Sequence, residues 1–99
     1  MRILVLGVND VASAVAWLLW SEGKKVVLGS EPMPTATRRG MAFADAVFDG
    51  TAVLEGVRAQ RVDTVEAAEA LLATRAAIPV FVGWVVEELV GVVRPDVLV

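Results

Sequence analysis

The sequence predicts one α/β domain over residues 1–99, built on a parallel sheet with helices on both faces, plus a small β-hairpin. Three observations lead there. Short apolar runs end at glycine, as in strands buried on both faces. Strand, helix and strand follow one another within about 30 residues at the start of the chain, the length of a βαβ unit. Glu55-Gly56 separates two strand-like runs, the spacing of a hairpin.

Arg2 to Gly7 is the first strand, and Val8-Asn9 is the turn after it. Asp10 is placed to cap a helix that runs to about Glu22 and stops at Gly23, a favourable residue just past a helix end. Lys24 to Ser30 is the second strand. Glu31-Pro32-Met33-Pro34 is a loop, because proline disfavours helix in the residue before it. Thr35 to Val47 is Ala-rich and reads as partly helical. Thr51 to Leu54 and Val57 to Val62 form the hairpin. Asp63-Thr64-Val65-Glu66 reads as a capping box ahead of an Ala/Leu helix to about Arg75. Ile78 to Gly83 is a buried strand with Pro79 near its start. Val85 to Val93 reads as a short helix broken by Gly91, and Pro95 to Val99 as a last strand.

Composition narrows the chemistry. The chain has no Cys, His or Tyr, which removes disulfides, thiolate and imidazole metal ligands and the usual neutral-pH base. No metal site is expected, no catalytic residue is assigned, and the chain reads as a domain that is not an enzyme on its own. A net charge of −3 with scattered Lys and Arg argues against nucleic acid as a partner. No run of about 18 uncharged apolar residues exists, so no membrane span is expected. Met1 to Leu6 is too short for a signal peptide, and Asp10 interrupts the run. The expected location is cytoplasmic. Mean hydropathy is +0.66, high for a small domain, so apolar residues must reach the surface and a homo-oligomer is expected.

The candidate binding residues cluster at the first turn. Gly7-Val8-Asn9-Asp10-Val11-Ala12 stands where the phosphate loop of a Rossmann-like fold belongs, G-x-G-x-x-G/A. Gly7 supplies the tight turn and Ala12 the close helix–strand packing. Asn9 replaces the middle glycine, and Asp10 adds negative charge where a phosphate would sit. Ser13 completes the loop. The residues allow two readings here: a bound nucleotide, or a turn kept for packing. Glu31 follows the second strand, where an acid accepts from a ribose; it reads equally as a solvated acid. Arg38 and Arg39 form the one adjacent Arg pair and suit phosphate or carboxylate, or a solvated helix face. Asp45 and Asp49 pair only if the segment between them is helical, which Gly50 disfavours. Trp17 reads as core, Trp20 as the anchor of a subunit interface, and Trp84 as a packing residue at the carboxyl edge of the sheet, where it could also stack on a base.

Several stretches together resemble a known family. They are Gly7 to Ser13 (G-V-N-D-V-A-S), Pro34 to Gly50 with its R-R…A-F-A-D-A-V-F-D-G run, Val53 to Val62, Ile78-Pro79-Val80 and Arg94 to Val99. Their order and spacing resemble the selenium-dependent molybdenum hydroxylase system protein family (YqeB type), which is similar to the Rossmann-like half of xanthine dehydrogenase accessory factors. The resemblance implies an accessory role with a nucleotide cofactor, NAD(P) or a molybdopterin-type nucleotide, and a molybdenum hydroxylase as partner. Three departures stand out: Asn9 at the second glycine, Leu18 and Trp20 where the family is polar, and a chain that stops where the family continues. They suggest a shortened relative that self-associates, or a trimmed piece. A ligand-free homo-oligomeric module is thus the competing reading. An NAD(P)-dependent oxidoreductase is the third, weakened by the missing proton-transfer residues.

Overall fold

A computed structural model describes residues 2–7, 10–30 and 50–99, with the Asp10 side chain excluded. Over these residues the chain is a mixed α/β structure. Its elements are β1 (Arg2–Leu6), α1 (Asp10–Ser21), β2 (Lys25–Ser30), β3 (Thr51–Leu54), β4 (Val57–Val62), α2 (Val65–Thr74), β5 (Ile78–Val82), α3 (Val86–Val93) and β6 (Val97–Leu98). One six-stranded sheet has the order β3-β4-β5-β2-β1-β6. β4, β5, β2, β1 and β6 are mutually parallel, and β3 pairs antiparallel with β4.

The hairpin is the predicted one. Glu55 (φ +46°) and Gly56 (φ +83°) both take left-handed backbone. Two positive φ values make a type I′ turn, whose twist matches that of the strands it joins. Pro79 lies one residue inside β5, a central strand. Pairing of β5 with β2 begins at Val80, so the missing proline N–H interrupts no bond on that side.

Alternation along the strands divides the core into two layers. Arg2 reaches Glu69 on α2, and a Cβ built on Gly29 would point at Leu89 on α3. Leu6, the register partner of Gly29, shares that face, which α2 and α3 cover. Ile3, Val5, Val26 and Leu28 are buried on the other face. Among the described helices α1 is left to cover it. Helices therefore lie on both faces.

Three readings of the sequence change. The second helix is capped by Thr64 rather than Asp63: the Thr64 side chain accepts from the Ala67 N–H at 3.2 Å. A hydroxyl at that position satisfies a free N–H of the first turn, while Asp63 lies within 4.0 Å of Arg61 instead. Gly91 does not break α3, which runs unbroken through it. Eight residues packed through buried Leu89 and Val93 outweigh a glycine's cost of about 1 kcal/mol. No neighbour lies within 4 Å of a Cβ placed at Gly91. Gly91→Ala is therefore expected to stabilise the fold by about 0.5–1 kcal/mol, read as a higher urea midpoint; a lower midpoint would refute the open position.

Trp20 is the third change. It is 7% exposed and part of the chain's own core, so it cannot anchor an interface. The Arg75 guanidinium lies over its ring at 4.2 Å from the centroid. The same group donates to the Trp20 carbonyl at 2.7 Å and the Lys24 carbonyl at 3.1 Å. A cation on a tryptophan face seals the layer under α1.

Arg2 ties three elements together. Its guanidinium makes a two-pronged bond to Glu69 (2.6 and 2.5 Å) and donates to the Val93 carbonyl at 3.1 Å. The hydrogen bond from Arg2 holds the Glu69 carboxyl below its ordinary pKa, against a smaller opposing effect of burial. A depressed carboxylate pKa stabilises the fold above the unfolded value and ceases to do so as pH falls through the folded one. Both side chains are partly exposed, so the contribution is about 1 kcal/mol or less. Glu69→Gln should lower stability at pH 7 and show less further loss on acidification than wild type. Parallel loss in the two proteins would refute this assignment.

Candidate functional site

The carboxyl ends of the parallel strands define one edge of the sheet. The β1–α1–β2 crossover moves one way along the sheet, and the β4–α2–β5 and β5–α3–β6 crossovers move the other way. In open α/β sheets ligands bind beyond the carboxyl ends of the strands.

Gly7 stands there. Its φ of +114° lies where side chains are strained and glycine is not. Its N–H donates to the Gly29 carbonyl at 2.7 Å, so the turn leaves β1 bonded to the end of β2. A Cβ at Gly7 would lie 3.6 Å from the Ala12 side chain. The small residue at 12 thus lets the first turn of α1 come close to the strand end, as the sequence predicts. Beyond β6, the Leu6 N–H donates to the Val99 carbonyl at 3.1 Å, which extends the pairing to the last residue.

A second glycine turn lies two strands away. Gly83 (φ +79°) follows β5, and its N–H donates to the Ser30 carbonyl at 2.8 Å. The end of β2 is therefore held between two left-handed glycine turns, one on each side. The sequence marks Gly83 as a strand end, but the bond to Ser30 depends on β5 lying beside β2, which local pattern does not encode.

Of the predicted site residues, Gly7 opens the turn and Ser13 is fully buried in α1 and partnered. Asp10 begins the helix. Asn9, Glu31, Arg38 and Arg39 lie outside the described residues, as do Asp45 and Asp49. Among the described residues there is no group of three or more potential metal ligands. No described helix is long and apolar enough to cross a membrane. Trp17, partly buried, donates from its indole nitrogen to the Glu55 carbonyl at 3.4 Å, which pins the hairpin to α1. Trp84 sits at the carboxyl edge, edge-on to Phe81 with ring centroids 5.0 Å apart and planes at 68°.

Over 80 residues, 81% of the chain, the sequence is 42% identical to the uncharacterized protein YqeB of Escherichia coli (strain K12). Those residues span 15% of the length of that relative. No family model matches the chain, and no solved structure gives a significant match. The similarity agrees with the YqeB-type resemblance of the sequence motifs.

Proposed function

We propose that the chain is a Rossmann-like accessory domain that binds a nucleotide cofactor, NAD(P) or a molybdopterin-type nucleotide, in cytoplasmic service of a molybdenum hydroxylase. The observation that carries the reading is the Gly7 turn. It is a left-handed glycine at the carboxyl end of the first strand, closed onto β2 and opening α1. That is where Rossmann-like domains hold a phosphate against helix N–H groups. Asn9, Asp10, Glu31, Arg38 and Arg39 are the side chains assigned to the ligand; Ser13, buried in α1 and partnered, is not among them. The similarity to YqeB supports the YqeB-type relation, and the accessory role is what the motif resemblance implies. The strand order departs from the usual Rossmann arrangement, since β5 is inserted between β4 and β2.

A thermal-shift panel with NAD(H), NADP(H), ATP, CTP and a pterin nucleotide tests the reading. A ligand at about 100 times its dissociation constant adds roughly 2.7 kcal/mol, several degrees in a domain of this size. A shift with one compound, lost in an Arg38→Ala/Arg39→Ala double mutant, supports the assignment. No shift with any of them overturns it.

A homo-oligomeric module is the second reading, favoured by the outer face of α1. Val11 (74% exposed), Ala14, Leu18 (52% exposed) and Ser21 recur at helical spacing on that face, and no charge falls between Asp10 and Glu22. On this reading Leu18→Glu should reduce the mass measured by light scattering to that of a monomer. A wild-type monomer at micromolar concentration would exclude this interface.

A further inference from the structure

We propose that Trp84 is the stacking surface for the planar ring of the bound nucleotide, with the phosphates held at the Gly7 turn on the other side of β2. The inference rests on the nucleotide-binding reading and gives that site a direction. Three observations carry it. First, the turns at Gly7 and Gly83 flank the end of β2, bonded to successive carbonyls, Gly29 and Ser30. With neighbouring strands about 4.8 Å apart, the two turns are about 10 Å apart, a separation that a nucleotide can bridge from phosphate to base.

Second, the helix after Gly83 opens with more negative charge than α1, which opens with Asp10 alone. The helix after Gly83 carries Glu87 and Glu88 in its first turn, and its N-cap is Val85. Two carboxylates repel a phosphate there and leave this end to the uncharged part of a ligand. Third, Trp84 is the one tryptophan at this edge among the described residues. Trp17 is committed to the hairpin, and Trp20 is covered by Arg75. Trp84 is half-buried, fixed by its contact with the fully buried Phe81. A rigid, partly open aromatic ring is the surface on which a base stacks, whatever its hydrogen-bonding pattern.

The test compares ATP, NAD+ and inorganic pyrophosphate by calorimetric titration against wild type, Trp84→Leu and Trp84→Phe. Trp84→Leu should weaken the better-bound nucleotide about tenfold or more. Trp84→Phe should restore most of that affinity, and pyrophosphate should bind all three proteins alike. Unchanged nucleotide affinity in Trp84→Leu would overturn the ring assignment and leave the nucleotide-binding reading standing. An equal loss for pyrophosphate would show that Trp84 acts through the fold, which also overturns the assignment. Absence of any nucleotide binding to wild type would remove both.

Discussion

Phe81→Ala should destabilise the domain by about 3–5 kcal/mol, the cost of emptying a phenylalanine site in a packed core. Phe81 is fully buried and sits mid-sheet, in register with Val62 on one side and Gly29 on the other. Elements on both sides close over it, so little can collapse into the space. Small domains have about 5–15 kcal/mol in total. The substitution therefore removes about a fifth or more of the stability and lowers the melting temperature by more than about 10 °C. Phe81→Leu, which keeps most of the volume, should cost less than about 2 kcal/mol. Urea unfolding of the three proteins measures the difference. A loss below about 1 kcal/mol in Phe81→Ala would mean that β5 is not the centre of the core. Trp84 loses its edge-to-face partner in the same variant, so a bound ring should be held more loosely even where the fold survives.

The sequence carries the elements more plainly than their arrangement, and the reason is range. Glu55-Gly56 can be read as a turn because left-handed backbone is a property of those residues themselves. Gly7 is legible for the same reason, with Ala12 five residues on. The place of β5 between β4 and β2 is not legible. Ile78 to Val82 is apolar throughout and would suit any interior strand. The fate of Trp20 is hidden for a related reason. On its helix it looks like a surface anchor, and the residue that covers it, Arg75, is 55 positions away. At the candidate site the first glycine turn is a local signal. The second matters only because β5 lies beside β2, and so does the position of Trp84. Thr64 is a subtler case. Asp63 and Thr64 both suit a cap, and one residue of register decides between them; the bond to Ala67 selects Thr64.

Gly29 couples the core to that site, and its substitution has the second large effect. A Cβ at Gly29 would come within 2.7 Å of Leu89 Cδ1 and 3.3 Å of Leu6 Cδ2. Leu89 is fully buried, so its side chain has no free space to swing into. Gly29→Ala should therefore cost about 1–3 kcal/mol by overpacking. Leu89→Ala alone should cost about 2–5 kcal/mol through the cavity it leaves. In the Leu89→Ala background the clash with Leu89 is gone, and alanine in a strand loses less chain entropy on folding than glycine. Gly29→Ala should then be close to neutral, so the double mutant is more stable than the sum of the single changes predicts by about 1 kcal/mol or more. Additive losses would place α3 farther from β2 than the close approach requires. The Gly29 carbonyl also accepts the Gly7 N–H. A Cβ that pushes β2 and α3 apart strains that bond, so Gly29→Ala should weaken any nucleotide bound at the Gly7 turn. In the Leu89→Ala background Gly29→Ala should leave that affinity unchanged, because the clash that strains the bond is gone.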